Sequence, residues 1–520
     1  MGREGGIVGK YSVLWLGFFG ILVSACIGLL TKTPGYLDAD VYYYGGIRLV
    51  RGFGFSEGIL WNYLDSPTQL PHSSHGYWYP LASVVAAAGM AIFGNTGFRA
   101  AQAGFILLSG GIGPAVYAMA RQFGLQHGRA LFAGVLAVLG GIFTLYYSAI
   151  DNYSPLMVAG ALVMGLMARW QRQADNTIRV GVALGVLLAW MNYARADSLL
   201  WVPLVLAGLA MAPTSVQSKH AKLRGILLAA GVWAGLMLPW WVRNTLAFGL
   251  PLGAGGTQVM WLTNYNDIFA WPAMRLGPAA LMDQSLAQLL QVRISTLGTL
   301  AGNFALAQAG PVALFFAVHG FFRVAERKIA GWFLAGWLLL AVVLSALFPY
   351  AAGHGSFYHA SAAFFPLVSV LAAAGTDLRL GGLGQRVWGI LLLIIAICTI
   401  YLGAVQAIFV SNWNRDLENY TWAADKLARL GAASGELVMA SNPAAMANIG
   451  GFQAIIPANE SEEVLVELAN AFGVRYMVLD DEYCRQAHRE ICTGEKNPVF
   501  FRRIATQGSM RLFVIEPKFP

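Results

Sequence analysis

Over residues 1–410 the chain is a succession of long apolar runs separated by short polar stretches. Many runs reach or approach the ~20 residues that carry a helix across a hydrocarbon layer. They lack the strict alternation of a membrane barrel strand. Backbone groups in lipid must be paired within their own segment, which makes each run a helix. The pattern predicts about eleven spans, over 11–31, 101–120, 129–149, 154–169, 178–193, 198–212, 225–241, 303–322, 330–348, 357–375 and 387–410. A further run over 79–93 is apolar but short. It reads as a juxtamembrane or re-entrant helix.

Positive charge fixes the threading. With 79–93 left out of the crossings and the N-terminus inside, one set of loops carries Arg121 and Arg129; Arg169, Arg172 and Arg179; Lys219, Lys222 and Arg224; Arg323, Arg327 and Lys328; and Arg379 and Arg386. Basic loops stay cytoplasmic. A crossing at 79–93 would put all of these later loops outside. The same threading leaves two long loops outside, 32–100 and 242–302, and puts the C-terminus outside as well.

After residue 411 the pattern changes. Charges and Asn rise. ELVMAS, YMVLDD and RLFVIE read as short strands, and 460–472 reads as an amphipathic helix with acidic residues at its start, where the helix dipole favours them. The expected architecture is an all-α polytopic membrane domain over 1–410, with juxtamembrane helices, and a small α/β extracytoplasmic domain over 411–520. Gly450-Gly451 reads as a turn; no complete phosphate-binding glycine motif is present.

Composition agrees. The chain is 57% hydrophobic and 12% charged, where soluble proteins carry about 25% charged residues. The net charge of +8 is scattered between spans and implies no nucleic-acid partner. The four cysteines form no metal motif. Cys26 and Cys398 fall in apolar runs, whereas Cys484 and Cys492 fall in the C-terminal domain, where spacing alone does not establish a disulfide.

Ionised side chains beside a membrane need water or a partner. Asp38, Asp40, Asp151, Arg195, Asp197, Arg243, His75, His354 and His359 all fall on the external side of this threading. Asp38 and Asp40 read either as a capping or solvated pair, or as a general base or divalent-metal ligands. Asp151 reads as a helix cap or a catalytic acid group. Arg195 with Asp197 reads as an ion pair or an anion site. Arg243 follows Pro239-Trp240-Trp241-Val242 and either snorkels to head groups or holds a phosphate.

In order and spacing these motifs resemble the GT-C superfold of membrane glycosyltransferases, in the branch of the protein O-mannosyltransferases and the lipid A aminoarabinose transferase. The resemblance rests on Asp40-Val41-Tyr42-Tyr43-Tyr44, on His75-Gly76-Tyr77-Trp78-Tyr79-Pro80 and on Ala149-Ile150-Asp151. It continues through Tyr193-Ala194-Arg195-Ala196-Asp197, Leu238-Pro239-Trp240-Trp241-Val242-Arg243-Asn244 and Tyr358-His359. Val41 stands where the family has Glu, and His75 where relatives often place Lys. The resemblance implies transfer of a sugar from a polyprenyl-phosphate donor to a hydroxyl of a lipid, glycan or protein acceptor on the outer face, with inversion. It implies Asp40 as base, with Asp151 and Asp38 as further acids. Arg243, Arg195, His75, His359 and His354 are then the candidates for the donor phosphate. No cofactor is certain, and a divalent metal on Asp38 and Asp40 stays open. Another lipid-linked transferase or ligase, or a secondary transporter, is the alternative.

Overall fold

The computed structural model describes residues 3–174, 176–273, 276–376, 409–480, 489–493 and 499–515, with the side chains of 3–8 left aside. The expected span 387–410 lies almost wholly outside these residues, as do Arg379, Arg386, Cys398 and Cys484. The chain forms two compact units, each made of three segments. One comprises Met1–Leu30, Gln102–Arg243 and Leu290–Phe409; the other comprises Thr31–Ala101, Asn244–Leu289 and Val410–Pro520.

The first unit is helical. Among the described residues of the whole chain, six helices are long and apolar enough to cross a membrane. They are Gly9–Leu30, Phe98–Gln122, Thr177–Ala194, Lys219–Phe248, Arg327–Leu347 and Pro349–Gly375. A seventh is available if Leu286–Gln308 and Pro311–Phe321, bent by 98°, form one span. The protein is therefore a multi-pass membrane protein; ten of the eleven expected crossings fall within the described residues, where six or seven helices qualify. The run 129–149 is cut after His127–Val138 by Gly140-Gly141, where Gly141 adopts a φ of 61°. The run 303–322 bends at Gly310-Pro311, whose glycine has a φ of 77°. The run 198–212 yields the shorter helix Ala196–Ala210. Arg169 and Arg172 shorten the apolar part of Tyr153–Arg172.

The first helix shows how the unit is built. Tyr11, Leu14, Trp15, Phe18 and Leu22 are exposed and recur at helical spacing, forming an apolar outer stripe. On another face a Cβ added at Gly20 would lie 3.1 Å from the carbonyl of Ser109, so backbones meet with no side chain between them. The tightest crossing joins Pro311–Phe321 to Phe365–Gly375. A Cβ on Gly320 would fall 1.8 Å from the Leu371 carbonyl oxygen.

The basic loops gather at one end of this unit. Arg172 Nη1 donates to the Gln122 carbonyl at 3.0 Å, and its Nε lies 3.4 Å from Glu326 Oε1. Ala325 N donates to the Phe123 carbonyl at 3.1 Å. Asp151 precedes the opposite end of Tyr153–Arg172, whose 20 residues span about 30 Å. Within this unit, Asp151 and the Arg172 contacts thus sit at opposite ends of one helix.

The second unit holds eight short strands. A two-stranded ribbon pairs β1 (Ser56–Glu57) with β3 (His72–Ser73). A six-stranded sheet runs in the order β2-β5-β4-β6-β8-β7, with β2 Ile59–Leu60, β4 Leu437–Ala440, β5 Gln453–Ile455, β6 Tyr476–Asp480, β7 Phe501–Gln507 and β8 Met510–Ile515. The strands β2, β5, β4 and β6 are parallel, and the hairpin β7–β8 is antiparallel. Successive side chains of a strand point to opposite faces. Met439 and Met477 accordingly join one apolar cluster with Leu465 and Phe513, whereas Val438 and Val478 join another with Tyr420 and Met446. Both faces are covered, as a parallel sheet requires. The strands expected at ELVMAS, YMVLDD and RLFVIE are all present, and Glu462–Phe472 is the expected amphipathic helix. Gly451 caps Pro443–Gly450 with a φ of 72°, which is the turn expected there.

What local patterning hides is β2. It comes from the first long loop and adds to the edge of the C-terminal sheet, where Ile456 N donates to the Leu60 carbonyl at 2.7 Å. Tyr63, fully buried, donates its hydroxyl to the Ile456 carbonyl. The run 79–93 forms Leu81–Phe93, whose 13 residues reach about 20 Å, short of the ~30 Å hydrocarbon layer. Gly45 and Gly46 let Leu37–Val50 lie close against it; a Cβ on Gly45 would be 2.5 Å from Ser83 Oγ.

Candidate functional site

In the helical unit the candidate residues converge on one broken segment. Gly355, with a φ of 144°, interrupts the helical run Pro349–Gly375; Ser356 caps the short helix Phe357–Ser361 that follows, and His359 lies on it. His359 is buried. Its Nδ1 lies 3.3 Å from Asp151 Oδ1, and its Nε2 lies 3.1 Å from the Tyr153 hydroxyl. The two rings stack at 4.4 Å. Asp151 is 1% exposed, and its Oδ1 also accepts from Asn152 N at 2.6 Å. A carboxylate beside an imidazole in this manner can orient the ring, move a proton or offer two ligands to a divalent cation.

Three residues earlier on the same segment, Ser356 Oγ accepts from Arg195 Nη2 at 2.7 Å. Arg195 also grips Asp197 with Nε at 3.1 Å and Nη2 at 2.7 Å. Of the two readings of Arg195 from sequence, the ion pair with Asp197 is present, and the guanidinium also reaches Ser356 of the His359 segment. His354 is exposed in the turn before the break. Arg243 is half-buried, its guanidinium 5.0 Å over the Trp240 ring, a cation–π contact.

In the second unit, Leu37–Val50 carries Asp38 and Asp40 in its first turn. Two residues along a helix is about 200° of rotation, so the side chains leave on nearly opposite faces. The two carboxyls therefore do not leave the helix as a pair on one face. Asp40 is 1% exposed, and its Oδ2 accepts from Asn442 Nδ2 at 2.9 Å. Asn448 Nδ2 donates to the Asp40 backbone carbonyl at 3.0 Å. Burial raises the Asp40 pKa from 3.8 to about 7, against the two asparagine amides that lower it. The residue expected to serve as base is thus turned into the C-terminal sheet, while Asp38 remains half-buried on the other face.

His75 is also placed differently from its expected role. Its Nδ1 lies 2.6 Å from Ser74 Oγ and its Nε2 2.9 Å from Ser83 Oγ, in a buried position with a φ of 64°. Ser83 Oγ in turn donates to the Tyr42 carbonyl at 3.0 Å. Both ring nitrogens are thus within hydrogen-bond reach of hydroxyls, one beside it in the loop and one on Leu81–Phe93. Tyr153, Ser356, Asn442 and Asn448 were not singled out from sequence. Of these, Asn442 had a legible signal: Asn before Pro443 is a helix-capping pair, and its side chain does accept from Ala445 N.

No protein-family model and no curated protein matches the chain. Solved structures do. The archaeal oligosaccharyltransferase AglB from Archaeoglobus fulgidus, in complex with an inhibitory peptide and a dolichol-phosphate, is similar at a TM-score of 0.57 and 14% identity, over 91% of this chain and 70% of that one. ArnT from Cupriavidus metallidurans bound to undecaprenyl phosphate is similar at 0.55 and 13%, over 96% and 97%. The chain shares its fold with these solved structures. The mycobacterial arabinofuranosyltransferase AftD adds a third similarity at 0.54 and 11%, covering 97% of this chain and 42% of its own. At these identities the likeness shows a common fold, not the residues that react.

Proposed function

We propose that this protein is a membrane glycosyltransferase that moves a sugar from a polyprenyl-phosphate donor to an acceptor hydroxyl on the extracytoplasmic face. What carries the reading is the GT-C architecture shared with ArnT over nearly the full length of both chains, that protein being solved with undecaprenyl phosphate. The polar cluster at one end of an otherwise apolar helical unit supports it. The polyprenyl tail stays in lipid, and its phosphate is met by cations at the helix ends.

In this proposal Asp38, not Asp40, takes the proton from the acceptor hydroxyl, because an alcohol is a poor nucleophile until a base removes its proton. The acceptor oxygen then bonds to the anomeric carbon as the bond from that carbon to the phosphate oxygen breaks. The phosphate leaves with the electron pair. Arg243 and Arg195 stabilise the charge that grows on it. Attack opposite the leaving phosphate inverts the anomeric centre. His359, set by Asp151 and Tyr153, orients the reacting groups, and this pair is where a divalent cation would be held.

The test is release of polyprenyl phosphate from a panel of polyprenyl-phosphate sugars incubated with the purified protein. Asp38→Asn is expected to lower turnover at least about 100-fold, the scale of a lost general base, without lowering donor affinity. Turnover at the wild-type rate in that variant removes Asp38 from the role. No lipid phosphate released from any donor in the panel overturns the transferase reading.

A further inference from the structure

The short helix that carries His359 is also held by a stretch of chain that the proposed chemistry does not use. Leu286–Gln308 runs beside residues 346–361 in one constant register. Arg293 Nε donates to the Ala346 carbonyl at 2.9 Å, Thr296 Oγ1 donates to the Pro349 carbonyl at 3.5 Å, and Ser361 Oγ donates to Gln308 Oε1. Each of these pairs is 53 residues apart along the chain, so the two stretches run in the same direction. Phe304 and Phe357, at the same spacing, both pack on the Trp337 ring, with centroids at 4.5 and 6.0 Å. Residues Phe304–Gln308 form a π-helical turn just before the bend at Gly310. Such turns are rare and recur at functional sites. Gln308 is 1% exposed and Ser361 is fully buried. Ser361 Oγ has a second acceptor in its own helix, the Tyr358 carbonyl at 3.2 Å, whereas Gln308 Nε2 has no partner among the described residues. A buried amide with one end unpaired is costly, and two apolar side chains would fill the same space without that cost. Stability alone therefore does not account for the pair.

We infer that Gln308 is a positioning residue for His359, acting through Ser361. His359 and Ser361 are two residues apart on Phe357–Ser361, about 200° around the helix. Ser361 therefore leaves on the face turned away from His359. Gly355 breaks the helical backbone just before this segment, so the preceding turn does not fix its rotation about its own axis. Side-chain bonds do so at both ends: Arg195 holds Ser356 at the start, and Gln308 holds Ser361 at the close. Hydrogen bonds in an apolar interior are strengthened and specify one arrangement. The Gln308 bond thus keeps the opposite face, with its imidazole, against Asp151 and Tyr153.

The role in turnover rests on the transferase reading, but one arm of the test does not. Gln308→Leu combined with Ser361→Ala removes both partners and leaves the core apolar, so the melting temperature of the whole detergent-solubilised protein should stay within a few degrees of the wild type. In release of lipid phosphate from a polyprenyl-phosphate sugar, this double variant should lower kcat about 10- to 100-fold, the scale of reacting groups misplaced by about 1 Å. KM for the donor should not change. Hydrogen exchange should show about tenfold more opening at the amides of Phe357–Ser361, the scale of one lost buried hydrogen bond, with Arg327–Leu347 unaltered. Wild-type kcat in the double variant, a raised KM at unchanged kcat, or unchanged exchange at Phe357–Ser361 would each overturn the proposal. If the wild type turns over no donor, the transferase reading falls, and the exchange arm alone decides whether Gln308 holds this helix.

Discussion

Replacing Asp40 by Asn separates two roles that the sequence could not. The carboxyl is 1% exposed and faces Asn442, and its pKa is raised from 3.8 to about 7. Between these values the docked state binds a proton that the undocked state has lost, so stability falls as pH rises through the window. Each pH unit is worth about 1.4 kcal/mol. Over a window of roughly three units the cost is on the order of 4 kcal/mol at pH 8, relative to pH 4. Asn imitates the protonated carboxyl and removes this dependence. Tyr43, the nearby group coupled to Asp40, is raised to about 12 by burial and stays neutral throughout. The assay is hydrogen exchange at the amides of Pro443–Gly450 and Leu37–Val50, corrected for the intrinsic rate at each pH. In the wild type, opening should increase by up to about a thousandfold between pH 4 and pH 8, and Asp40→Asn should be nearly flat. Identical profiles for the two proteins would refute the buried-acid argument. Loss of transfer in Asp40→Asn with its exchange protection intact would restore Asp40 as the base and displace Asp38.

Two further outcomes follow from geometry in the helical unit. Arg243→Ala should raise the apparent KM for a polyprenyl-phosphate sugar about tenfold, the loss of one charge-assisted contact, with Arg243→Lys restoring part of it; an unchanged KM in the alanine variant denies the phosphate role. Gly320→Ala forces a methyl to within 1.8 Å of the Leu371 carbonyl oxygen, so it should lower the melting temperature of the solubilised protein by several degrees through overpacking. An unaltered melt would mean that the two helices slide apart at no cost.

Charge and hydropathy carried the reading far because each acts along the chain alone. The sidedness of the loops follows from Arg and Lys positions, and Arg172, Gln122 and Glu326 do meet at one end. The C-terminal strands were legible because each is a short apolar run set between polar residues. The span count was not legible. A hydropathy window averages over Gly140-Gly141 and Gly310-Pro311, whereas the backbone breaks at both. The faces of Asp38 and Asp40 were equally hidden, since nothing local says that a helix in an early loop will dock on Asn442, some four hundred residues on.

That docking also occupies one end of the six-stranded sheet. In an open parallel sheet, ligands enter at the carboxyl ends of the strands where the connections diverge to opposite sides. Here β4 leads to β5 on one side, and the chain then crosses back to β6 on the other, so that point lies just after β4. Ser441 and Asn442 occupy it. Ser441 N donates to the Val478 carbonyl at 3.0 Å, Ser441 Oγ accepts from Asp480 N at 3.0 Å, and Asn442 reaches Asp40. The polar groups that would greet an external ligand are spent on the protein's own backbone and on one aspartate of its first long loop. Together with β2 at the sheet edge, they bind that loop at two places. The carboxyl end of β4 and the sheet edge thus clamp the first long loop, and Asn442 and Asn448 hold the Leu37–Val50 helix, and with it Asp38, from the far end of the sequence.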